Sequence, residues 1–195
     1  MRKHQIILGA NTLTVIMAIV IGIGTLQPFL GGSSVVSTAS VLGRDATLTG
    51  RTDIWAGLIP DVMSNPILGS GFGSFWIPAT REAHQIGEAH NGYLDVVLET
   101  GFVGLLFTAI LLLSSCRQAQ KVMAHDFDWG SLTICFLVMA LVHNITESSI
   151  NSLASGLTAI LLFLVVISTG ATSSRTAKEN AGRIQTRLTV SQGSN

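Results

Sequence analysis

Apolar residues gather in four blocks along the chain, separated by one long mixed stretch and followed by a polar tail. About 20 mostly apolar residues, at about 1.5 Å rise each, cross a hydrocarbon core. The blocks near 5–26, 92–115, 131–148 and 152–169 answer to that length. The third is the shortest in apolar content, because His143, Asn144 and Glu147 crowd its end and leave Leu132 to Val142 as its apolar part. A tilted or re-entrant helix is the alternative there. The pattern predicts an all-α integral membrane protein of about four transmembrane helices with a large external loop. Its divisions are a first helix within 1–26, the loop at 27–91, three further helices within 92–171 and a disordered tail at 172–195.

Basic residues accumulate in the short cytoplasmic flanks of spans. Arg2 and Lys3 precede the first block, Arg117 and Lys121 follow the second, and Arg175, Lys178, Arg183 and Arg187 follow the fourth. All eight fall on one side. The loop, with Arg44, Arg51 and Arg81 against Asp45, Asp53, Asp61, Glu82 and Glu88, is then expected outside and both termini cytoplasmic. The first block has the basic start of a secretory signal, but its apolar run exceeds the usual core of about 7 to 15 residues. An uncleaved anchor fits it better. The tail is rich in Ser, Thr, Gln, Asn and Arg and lacks apolar periodicity, the composition of a chain that buries no core.

Within the loop, Ile54, Trp55, Leu58, Ile59, Val62 and Met63 recur at a helical period and predict an amphipathic helix over 51–64 lying on the outer membrane face. Thr49 or Thr52 is placed to cap it, Asp53 suits the positive helix end, and Asn65 before Pro66 closes it. Gly69, Gly71 and Gly73 follow as GxGxG. That spacing lacks the βαβ frame of a dinucleotide site and reads as a tight turn that brings backbone close to a neighbour.

Composition sharpens the picture. Charged residues are 11% of the chain, against about 25% in soluble domains. Mean hydropathy is +0.54. Formal net charge is zero, which removes nucleic acid as a partner. Cys116 and Cys135 form neither a CxxC pair nor a disulfide framework and read as free core thiols. His84, Glu88 and His90 are ligand types for zinc, but without an HExxH helix no metal is expected.

In GRTDIW (Gly50 to Trp55), NPILGSGFGSFW (Asn65 to Trp76) and EAHNGYLDVVLETGFVG (Glu88 to Gly104), the chain resembles the O-antigen ligase-like family of membrane polysaccharide ligases and polymerases. It looks most like the exopolysaccharide-production polymerases among them. The likeness covers about residues 44–115, and HNITESS (His143 to Ser149) agrees more loosely. Complete members carry about ten or more spans, as the resemblance implies, so the chain is expected to be the C-terminal part of such an enzyme. The resemblance implies a glycosyltransferase-type activity at the outer face of the bacterial inner membrane. A glycan would move from an undecaprenyl diphosphate carrier to an acceptor hydroxyl, with no cofactor and with other polysaccharide assembly proteins as candidate partners.

Such a reaction needs a base for the hydroxyl and cations for the departing diphosphate. His90 is the candidate base, since an imidazole accepts a proton at neutral pH; the plainer role is a helix-capping histidine. Arg51, and second Arg44, are candidates for the diphosphate, because guanidinium forks onto phosphate oxygens. Asn91 is a candidate substrate contact, with support of His90 or helix capping as its plainer roles. Asp95 and Glu99, at i and i+4 within the second block, are candidate supports that orient a histidine or pair with an arginine, with interhelical hydrogen bonding as their plainer role. His143 and Glu147, at i and i+4 at the outer end of the third, are candidate supports that line the same cavity as His90, with a polar helix end meeting headgroups as their plainer role. Arg81 has no motif and stays outside the core site. Trp55, Trp76 and Tyr93 fit an interfacial belt or core better than sugar stacking. The alternative function is a non-enzymatic membrane subunit of polysaccharide export, which the one-sided polar constellation disfavours.

Overall fold

A computed structural model describes residues 2–30, 50–150 and 159, with side chains from residue 12 onward. Its described elements are five helices and no strand: α1 (Arg2–Leu26), α2 (Arg51–Ser64), α3 (Pro78–His84), α4 (Gly92–Met123) and α5 (Phe127–Thr146). The expected fourth span at 152–169, the tail and Arg44 lie outside the described residues. By length and composition, α4 and α5 are able to cross a membrane, and α1 carries a shorter apolar run, Thr12–Leu26.

These three helices pack around Met17, Ile21, Tyr93, Leu112, Cys116, Leu137 and Leu141. Close approach depends on small residues. A Cβ at Gly24 would strike the Tyr93 ring, and one at Gly130 would strike the Met123 backbone. Tyr93 is fully buried and its hydroxyl donates to Leu141 O at 2.9 Å, so the aromatic reading resolves to core. The cysteines divide: Cys116 is buried, but Cys135 is exposed on α5 and is no core thiol.

The amphipathic helix forms where the period placed it, and its apolar stripe turns onto protein. Trp55, Leu58 and Val62 are buried with Phe75, Ala89, Leu94, Val97 and Leu98, against the first turns of α4. Met63, counted in the stripe, is exposed instead. Thr52 does not cap the start, since it is already inside the helix, and Gly50, in the left-handed region at φ 79°, takes the N-cap position; Thr49 lies outside the described residues. The end agrees with expectation, since Asn65 before Pro66 leaves helical geometry.

Gly101, at φ 67° and ψ −172°, interrupts α4. Such a break orphans backbone groups that must find partners. The glycine turn supplies them. Ser70 N and Gly71 N donate to Leu98 O and Glu99 O at 3.0 and 2.7 Å, while Phe102 N and Val103 N donate to Pro66 O and Ile67 O at 2.9 and 3.2 Å. The helix changes character there. Every residue from Asn91 to Glu99 is buried, whereas Phe102, Leu106, Phe107 and Ile110 are exposed.

A Cβ at Gly101 would collide with Ile67 O and adopt a strained φ. Gly101→Ala should therefore cost about 2 kcal/mol or more in denaturant unfolding of the detergent-solubilised chain. Gly57→Ala, in open space on α2, should be neutral or stabilising.

Candidate active site at the helix ends

Three chain segments converge where α4 begins. Asn91 caps α4, its side chain accepting from Leu94 N at 2.9 Å and donating to Gly24 O of α1 at 3.0 Å and Ile145 O of α5 at 3.3 Å. It is fully buried, so its place is in the scaffold rather than against a ligand. The bonding holds Gly92 N to Glu147 O at 3.0 Å and brings the residues on either side into register.

Around this junction lies a charged cluster. Arg51, at the start of α2, donates from Nη2 to Glu147 Oε1 at 2.8 Å. The other Glu147 oxygen lies 3.5 Å from His90 Nδ1, and Glu88 Oε1 lies 3.3 Å from the same nitrogen. His90 itself holds a left-handed backbone at φ 50°, which turns the chain from the loop into α4. Partial burial pushes the Glu147 carboxyl up, but the hydrogen bonds from His90 and Arg51 and the charge of both outweigh it and hold its pKa below the ordinary value. With both carboxylates at Nδ1, a neutral His90 carries its proton there and presents an unprotonated Nε2.

Other candidates are sorted differently from expectation. Asp95 and Glu99 are buried and share one face of α4, but neither orients His90 or pairs with Arg51. Asp95 Oδ1 accepts from Trp76 Nε1 at 2.8 Å and Ala89 N at 3.2 Å, and Glu99 Oε2 accepts from Gly73 N at 2.8 Å. Both serve the loop. His143 is exposed, and although its carbonyl accepts from Glu147 N at 2.9 Å, no hydrogen bond or ion pair joins its side chain to the cluster among the described residues. His84 pairs with Asp61 at 3.0 Å, apart from Glu88 and His90. Trp55 is buried and donates to Ala89 O at 2.9 Å, which makes it part of the support under His90.

Sequence reasoning missed two participants. Glu88 was weighed only as a metal ligand, and its contact with His90 across one intervening residue depends on the positive φ at His90. Arg81, set aside for want of a motif, lines a cleft of about 260 Å³ with Trp76, Glu88, Asp95, Glu99 and Ser148. Glu88 thus belongs to both the cleft and the cluster.

Glu88, His90 and Glu147 also have ligand atoms within 4.8 Å of one another, the donor set of a divalent cation site. Arg51 already places a positive charge on Glu147, which competes for that carboxylate.

Membrane-competent helices here gather a cation, an imidazole and carboxylates into a polar cluster at one end of an apolar packing of helices. The sequence profile of the O-antigen ligase family matches residues 2–109, and the chain belongs to that family, a class of bacterial membrane proteins. Its family supports polysaccharide ligase- or polymerase-type function in general terms. The exopolysaccharide production protein ExoQ of Rhizobium meliloti (strain 1021) is 30% identical over 118 residues, which take in 54% of this chain and 27% of the relative. The chain therefore spans about a quarter of that relative's length. No solved structure matches the chain. The family match includes Arg51 and His90, while Glu147 lies beyond it.

The depressed Glu147 carboxyl fixes the sign of a pH effect. Its stabilising link to Arg51 is present above the ordinary pKa of 4.5 and is lost as the pH falls through the lowered value. Glu147→Gln should lower the melting temperature in detergent at pH 7 by about 2 °C, the scale of a partly exposed ion pair. The difference from wild type should close as the pH drops well below 4.5.

Proposed function

We propose that this chain carries the glycosyl-transfer site of a polysaccharide ligase or polymerase, with His90 as general base and Arg51 as the cation that receives the diphosphate. The observation that carries this reading is one carboxylate, Glu147, holding Arg51 and His90 at the same helix junction in a member of the O-antigen ligase family. The donor is a glycan on an undecaprenyl diphosphate carrier. The acceptor is a sugar hydroxyl.

The acceptor hydroxyl gives its proton to His90 Nε2, and its oxygen bonds to the anomeric carbon of the donor. The bond between that carbon and the diphosphate oxygen breaks, and its electron pair leaves with the carrier diphosphate. Glu88 and Glu147 hold the His90 Nδ1 proton and stabilise the imidazolium that forms. One Arg51 nitrogen is held by Glu147, which leaves further N–H donors of the same guanidinium for phosphate oxygens. Contacts that strengthen as the leaving group gains charge are the ones that accelerate the step. Arg44 is a second cation for the diphosphate. Asp95, Glu99 and Asn91 act as scaffold, through the loop and the helix junction.

The asymmetry of basic residues along the sequence supports an orientation with both termini cytoplasmic and the site at the outer face of the inner membrane. No metal takes part in this scheme, since Arg51 supplies the positive charge at Glu147. An export subunit without enzymatic activity is the competing reading.

In membranes carrying the full-length protein and a lipid-linked glycan donor, His90→Ala and Arg51→Ala should each reduce glycan transfer by about 100-fold or more while insertion is unchanged. Unreduced transfer in either variant overturns the assignment. Transfer that proceeds without the protein, with glycan retained inside the cell, would move it to export. Chelation with EDTA should leave transfer intact; a loss restored by a divalent cation would turn Glu88, His90 and Glu147 into a metal site instead.

A further inference from the structure

The cleft beside the cluster differs from it in charge and in the ligand it suits. Three of its lining side chains are carboxylates, Glu88, Asp95 and Glu99, against the single guanidinium of Arg81. That balance repels a diphosphate or any other polyanion. A neutral ligand rich in hydroxyls is favoured, because an ionised carboxylate is purely an acceptor with about four lone-pair sites. Asp95 and Glu99 each hold a loop donor through one oxygen, and both remain part of the cleft wall.

Two further features fit the same ligand. Trp76 is half-buried, its Nε1 fixed on Asp95 and its ring braced edge-on by Phe75 with centroids 4.9 Å apart. An indole held this way offers a rigid apolar surface to the C–H face of a pyranose. Ser148 Oγ is buried in the wall within reach of the Asp95 carboxylate, and its lone pairs meet no donor among the described residues. A hydroxyl that donates to Asp95 in this way still has lone pairs to accept a hydrogen bond from a saccharide O–H.

We infer that the cleft formed by Trp76, Arg81, Glu88, Asp95, Glu99 and Ser148 is a binding subsite for an uncharged saccharide, the acceptor end of the glycan, separate from the diphosphate position at Arg51. The inference rests on the glycosyl-transfer reading for the word acceptor, while the saccharide site itself rests on the cleft. Glu88 joins the two, lining the cleft and lying 3.3 Å from His90 Nδ1, so the cleft borders the His90 cluster through that carboxylate. Trp76, Arg81 and Ser148 are binding residues of this subsite. Asp95 and Glu99 position the loop that forms its wall.

The test uses the full chain in lipid nanodiscs, with uncharged tetrasaccharides of glucose, galactose and mannose as probes and inorganic pyrophosphate as the second ligand. Saturation-transfer NMR and tryptophan fluorescence should detect saturable binding of at least one tetrasaccharide. Arg81→Ala, at an exposed position on the rim, and Ser148→Ala should each weaken that binding by about fivefold or more. Trp76→Phe should remove the fluorescence response, with folding checked by circular dichroism. Pyrophosphate binding should depend on Arg51 and be unaffected by Arg81→Ala. The subsite is overturned if no tetrasaccharide binds, if binding survives both Arg81→Ala and Ser148→Ala unchanged, or if pyrophosphate competes with the saccharide for one position. Saccharide binding that is lost in the cleft variants, with pyrophosphate indifferent to Arg51, would support the subsite and overturn the diphosphate assignment.

Discussion

The Asn91 carboxamide ties the helices together at the level of the site. Its oxygen caps α4, while its nitrogen reaches carbonyls of α1 and α5 that the end of each helix leaves open. In a fully buried setting, losing one partner leaves the others desolvated and unpaired, which costs more than the bond itself contributed. The residues flanking this carboxamide inherit its precision. His90 precedes it directly, and Glu147 reaches the same junction through its carbonyl on Gly92 N. A loop histidine and a helix-end carboxylate are thereby fixed by a neighbouring buried amide.

The second constraint is the break in α4. An apolar helix cannot leave backbone groups open, and here a loop supplies their partners by inserting its own backbone at Gly101. The three glycines of the turn all have positive φ, and a side chain at Gly69 would collide with the Glu99 and Thr100 backbone. The same contact delivers Gly73 N to Glu99 and Trp76 to Asp95, so the cleft wall forms as the break is satisfied. Buried acids within an apolar helix are expensive unless they meet donors. In this chain the donors come from the segment between α2 and α4, and that pairing binds the loop to the bundle.

Charge is thereby divided between two neighbouring spaces. On one side Arg51 faces Glu147, and on the other three carboxylates share the cleft with one arginine at its rim. Glu88 and His90 lie between. A transfer reaction between a charged leaving group and a neutral hydroxyl has the same division of needs, one cationic and one acceptor-rich.

Much of this was legible in the sequence, and for definite reasons. Helix period and Pro66 placed α2 within its observed limits; apolar length marked α4 and α5; motif likeness brought Arg51 and His90 forward as a pair in a family that the chain does belong to. The i, i+4 spacing put Asp95 and Glu99 on one face, because helical geometry alone determines that. Their partners were beyond its reach. Whether Asp95 meets a histidine or an indole depends on how the loop returns over α4, and Arg81 and Glu88 enter only through that return. Glu147 entered the cluster while His143 stayed exposed, because the backbone leaves the helix at Glu147, whose carbonyl meets Gly92 N of a distant segment. The sequence by itself determined where the longer helices α1, α2, α4 and α5 lie and which residue types are available for chemistry, since periodicity and side-chain identity are local, whereas the short α3 carried no such periodicity. Only the tertiary structure decided which carboxylate serves which cation, because that pairing is set by contacts between segments distant along the chain.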